Sequence, residues 1–119
     1  MRFFAVSTIT AILLLTGCHS RYIAATVINR TGEPLSPVEV DYPSASFGIN
    51  SLAAGASYSY RFKIIGNGPT AIIWTDSAYR DHKNPGPVLH EGDEGTLAIT
   101  LGPGPTPDWD LRLTHRGGS

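Results

Sequence analysis

Four side chains in one stretch of this sequence are of types that bind metals: Asp76, Asp81 and His82 lie close together, and His90 follows. Histidine with carboxylate is a familiar ligand set. The spacing matches no recognised motif, however, and turn carboxylates with solvated histidines account for the same residues. The reading is therefore no metal site, with these four residues as the alternative. That alternative makes a geometric demand: His82, His90 and at least one of Asp76 or Asp81 must converge within ligand distance. Other chemistry is missing at the level of motifs. Glu91-Gly92-Asp93-Glu94-Gly95 lacks the alternating oxygen ligands and distal bidentate carboxylate of a calcium loop and reads as a hairpin turn. No Gly-x-Ser-x-Gly elbow is present, and the Gly-rich segments near Gly66 and Gly102 lack the lysine and following helix of a phosphate loop. No catalytic residue is assigned, no cofactor is implied, and the chain reads as non-enzymatic.

Charge and cysteine content narrow the function classes further. Formal net charge is −1 over 119 residues and both signs are scattered, which excludes a basic footprint for nucleic acid. Cys18 is the single cysteine, so no intramolecular disulfide forms and the core must be held by burial alone.

The first residues read as an export signal. Met1 and Arg2 form a short positive region, and Phe3 to Leu15 is an apolar stretch broken by Ser7, Thr8 and Thr10. At about 13 residues this stretch is well short of the roughly 20 that span a bilayer as a helix. It ends in Leu15-Thr16-Gly17-Cys18, which resembles the bacterial lipobox, where a branched apolar residue and two small ones precede an obligatory cysteine. The resemblance implies that residues 1–17 are a cleaved lipoprotein signal peptide and that the Cys18 thiol carries a diacylglyceryl group. Cys18 would then be residue one of the mature protein, its amino group often acylated as well, for instance with palmitate. Two or three acyl chains make the attachment long-lived, because each buried CH₂ adds about 0.8 kcal/mol. His19 stands where enteric lipoproteins retained in the inner membrane carry aspartate, so the address leans to the outer membrane, facing the periplasm.

What positions any site is a set of short strands. Tyr22 to Asn29 is rich in β-branched and apolar residues and runs into Arg30-Thr31-Gly32-Glu33-Pro34, which is turn chemistry. Val38, Val40 and Tyr42 alternate with Glu39 and Asp41; Phe47 and Ile49 alternate within Ala45 to Asn50; Tyr58, Tyr60, Phe62 and Ile64 alternate with Ser59, Arg61 and Lys63. That aromatic face reads as core rather than as a carbohydrate-stacking stripe, because Arg61 and Lys63 claim the other side. Thr70 to Thr75, with Trp74, is apolar on both faces and reads as a central strand. Residues 76–87 read as the longest irregular connection, with Val88 to His90 a brief edge strand. Leu97, Ile99 and Leu101 mark a further strand, and Trp109, Leu111 and Leu113 the last, with Trp109 placed over a sandwich edge or facing a partner.

Seven or eight short strands with turn signals every 8 to 12 residues, in roughly 100 residues, predict a small antiparallel β-sandwich of immunoglobulin-like type without its cysteines. The expected organisation is a lipidated tether at 18–21, a sandwich over 22–115 and a disordered tail at 116–119. The body is similar in pattern to small envelope domains of bacterial lipoproteins, through an early VINRTGEPLSPVEV strand-turn-strand and a later LHEGDEGTLAITL strand. That resemblance transfers no functional residue. The lipobox, the β pattern and the missing catalytic motif together point to a non-enzymatic binding or structural module, held to the membrane through Cys18, that meets another envelope protein; the alternative is a ligand-binding, metal-binding or enzymatic domain using the Asp76 to His90 loop.

Overall fold

Alternating apolar side chains produce eight strands in a computed structural model that describes residues 20–118; the signal segment and Cys18 lie outside the described residues. The strands are β1 (Ile23–Asn29), β2 (Val38–Tyr42), β3 (Ala45–Ile49), β4 (Ser57–Phe62), β5 (Gly68–Thr75), β6 (Asp81–Leu89), β7 (Glu94–Leu101) and β8 (Asp108–His115). They form two four-stranded sheets, in the orders β4-β1-β7-β8 and β3-β2-β5-β6, that face each other as a sandwich. All ladders are antiparallel except β1 with β7, which pair in parallel from Ile23 opposite Gly95 to Asn29 opposite Leu101. The antiparallel sandwich expected from the sequence is formed, with this one parallel pair within it. The residues joining β1 to β7 supply the long crossover that a parallel pair requires.

The inward residues of each strand make the core. Ile23, Ala25 and Val27 of β1 meet Val38 and Val40 of β2, Ile72 and Trp74 of β5, and Leu97, Ile99 and Leu101 of β7. Each fully buried aliphatic side chain of this kind contributes about 1.5–3 kcal/mol relative to exposure. Leu35 and Leu52, from the loops after β1 and β3, bridge to one another and close the core at one end.

Two sequence-based expectations change. Residues 81–87 are not loop: they begin the nine-residue strand β6, and the irregular connection shrinks to Asp76–Arg80. This segment is polar because β6 is a sheet edge, where Pro85 and Pro87 are tolerated and one face meets water. Tyr58 and Tyr60 do point to the inner side, with Tyr60 4.8 Å from Phe47 between ring centroids, but they remain 39% and 41% exposed. Their strand β4 and its neighbour across the sandwich, β3, are both edges, so the seam between the sheets is open there.

On the other side the seam is closed where Trp109 crosses it. Trp109 of β8 donates its indole N–H to Asn84 Oδ1 of β6 at 2.9 Å, and its ring lies over Gly86, where a Cβ would collide with the ring and with Thr70. The strand directions then sort the loops. Residues 20–22, the 63–67 and 90–93 connections and the tail gather at the end where β1 starts; the 30–37, 50–56, 76–80 and 102–107 connections gather at the far end.

Candidate functional site

Register decides which candidate side chains meet. Trp74 on β5 pairs directly with His82 on β6, so both project to the inner face at the far end, and their rings stack 4.9 Å apart at 12°. His82 Nε2 lies 2.8 Å from Asp76 Oδ2. The other carboxylate oxygen of Asp76 accepts the backbone N–H groups of Ala78 at 2.9 Å and Arg80 at 3.0 Å. The His82 contact, with the Arg80 and Ala78 amides, holds the Asp76 carboxyl below its usual value against a partial desolvation that pushes the other way. Asp76 thus closes the β5–β6 turn and fixes the imidazole flat on the indole.

This pair forms one wall of a recess of about 240 Å³, with Thr31 and Glu33 from the loop after β1 and Pro105 and Pro107 from the loop before β8 on the other walls. The loop after β1 is pinned by Asn29, which is fully buried. Its amide donates to the carbonyls of Glu33, Leu52 and Ala53 and its oxygen accepts from the N–H and hydroxyl of Thr31. Glu33 Oε1 in turn accepts the Ser77 N–H at 3.3 Å, tying the loop to the β5–β6 turn. At the tip of that turn Tyr79 is 91% exposed and sits at φ 62°, the left-handed region that a bulky residue rarely occupies.

The remaining candidates go elsewhere. Asp81 Oδ1 accepts the Thr75 hydroxyl at 2.7 Å in the neighbouring cross-strand position. His90 follows the other end of β6, eight residues and therefore about 26 Å from His82 along an extended chain. The convergence that a metal site required is not formed, and among the described residues no three His, Cys, Asp or Glu side chains gather. His90 belongs to a separate cluster in which Asp93, 1% exposed, accepts the N–H groups of His90 at 2.8 Å and Gly117 at 2.6 Å. The tail expected to be disordered from residue 116 is thus docked at Gly117, because a buried carboxylate requires donors that its own turn does not fully supply.

No family model matches this chain, and no curated protein matches it. Among solved structures it is similar to the NMR structure of a protein from Eubacterium rectale, with a TM-score of 0.57 over 85% of this chain and 97% of that one. Identity is 12%, so the likeness is one of fold. The likeness supports the β-sandwich, and the recess supplies the geometry that bears on chemistry. There the stacked Trp74 and His82 offer a flat surface of two rings, and Asp76 leaves Nδ1 as the ring nitrogen without a partner among the described residues. Such a shelf suits binding of an apolar or planar group with one hydrogen bond. Sequence reasoning singled out Asp76 and His82 but missed Glu33, Tyr79 and the two prolines. The signal for Tyr79 was a lone aromatic between Asp76 and Asp81, in a turn with no other large apolar residue.

Proposed function

We propose that the chain is a lipid-anchored, non-enzymatic binding module of the bacterial cell envelope that presents its far end to a partner protein. The address rests on the Leu15-Thr16-Gly17-Cys18 resemblance, with outer-membrane attachment facing the periplasm favoured by His19. The observation that carries the binding role is Tyr79: a large aromatic held at φ 62° and 91% exposed, three residues along the turn from the Asp76 that lines the Trp74–His82 recess. Backbone strain of this kind costs on the order of 1–3 kcal/mol and collects at functional surfaces. β1 begins five residues after Cys18, and Tyr79 is at the opposite end of the sandwich, so an anchored molecule turns this tip toward other envelope components.

The test is a photoreactive phenylalanine analogue placed at Tyr79, and separately at Thr26 on the outer face of the other sheet, in cells that make the full chain. The module reading expects a discrete crosslinked adduct from position 79 that weakens on His82→Ala, and none from position 26. Equal, diffuse labelling from both positions would contradict it.

A further inference from the structure

We infer that the end of the sandwich where β1 begins is a second interaction surface, one that docks on an anionic lipid bilayer. The inference rests on the lipid-anchor reading above, since that reading brings this end to the membrane. From Cys18 to Ile23 the chain reaches at most about 17 Å, so a lipid on Cys18 holds the start of β1 within that distance of the headgroups.

What this end displays fits such a surface. Ile65 is 59% exposed in the 63–67 connection, and it is held out rather than folded in. The Gly66 N–H donates to Glu91 Oε1 at 2.8 Å and the Glu91 N–H to Asn67 Oδ1 at 2.9 Å, which fastens the connection to the neighbouring turn. Ile64 between them is buried, so exposed Lys63 and Ile65 flank it on the outward side, a cation next to an aliphatic tip. An apolar side chain at the acyl boundary with a basic group at headgroup level is how interfacial segments bind. Beside it, between β6 and β8, a recess of about 380 Å³ has Val88, Leu111 and Leu113 as its apolar lining and His90 and Arg116 among its polar residues.

Charge points the same way. Arg21, Arg61, Lys63, Arg112 and Arg116 stand at this end against Asp41, Glu91, Asp93 and Glu94, and Asp93 is buried and committed to the His90 and Gly117 amides. At the far end two cations, Arg30 and Arg80, face four acids, Glu33, Asp76, Asp81 and Asp108. An anionic surface therefore attracts the tethered end and repels the end that bears Tyr79, which orients the molecule with its recess outward.

The test uses the full-length processed protein in phosphatidylcholine vesicles with and without phosphatidylglycerol. Ile65→Cys and, separately, Tyr79→Cys carry an environment-sensitive dye, and acrylamide quenching is the readout. In vesicles containing phosphatidylglycerol the dye at 65 is shielded and the dye at 79 is not. Lys63→Glu or Arg116→Glu lowers the docked-to-free ratio at 65 by about fivefold or more each. Equal quenching at 65 and 79 in protein that floats with the vesicles would overturn the docking while leaving the anchor standing. Protein that neither floats nor carries lipid by mass would overturn the anchor, and the docking with it.

Discussion

Tyr79 and Asp76 carry most of what is specific to the far end, and they act in opposite directions on stability. Tyr79 occupies φ 62°, a region that asparagine enters more readily because its short polar side chain bonds locally. Tyr79→Asn should therefore stabilise the fold by about 0.5–1 kcal/mol, seen as a higher midpoint in denaturant, while removing the exposed ring that a partner would contact. A variant that is both less stable and binds as well would show that the strain has no functional meaning. Asp76 stabilises the turn through His82 and two backbone amides. Its carboxyl is held below the ordinary value of about 3.9, so its contribution is complete above that value and is lost as pH falls through the folded one. Thermal unfolding followed from about pH 5 to about pH 2 should show a smaller acid-induced loss in Asp76→Asn than in wild type. Parallel curves would place the acid sensitivity elsewhere.

At the scale of elements, edges decide both what is stable and what was legible in the sequence. Val38, Val40 and Tyr42, and likewise Leu97, Ile99 and Leu101, alternate because one face of each strand is buried, and that periodicity is readable without coordinates. β6 was not legible: Asp81, Lys83 and Pro85 face outward, and its inward positions are His82, Asn84 and Gly86, none of which looks like core. Gly86 is small because Trp109 from the other sheet lies over it, a contact between strands more than 20 residues apart that no local pattern encodes. Asp76 and His82, six residues apart across one turn, were both among the sequence candidates, whereas Glu33 and Pro105, distant in sequence, could not be added to their recess. Gly86→Ala should displace Trp109, cost about 1–3 kcal/mol in urea unfolding and shift the tryptophan emission to the red. An unchanged spectrum and midpoint would mean that the β6–β8 seam does not depend on this contact.

The molecule as a whole is polarised. The two sheets hold the loops in two groups, one next to the start of β1 with Ile65, Lys63 and Arg116, the other at the far end with Tyr79, His82 and the proline loop. A lipid on Cys18 would give that polarity a direction, and both the presentation of Tyr79 to a partner and the docking of the opposite end depend on it. The decisive measurement is intact mass with membrane fractionation of the expressed protein beside a Cys18→Ser variant. Wild type should appear in the membrane fraction at the mass of residues 18–119 plus lipid, and the variant as an unlipidated precursor. Wild type that is soluble, unlipidated and indistinguishable in processing from Cys18→Ser would contradict the lipid anchor.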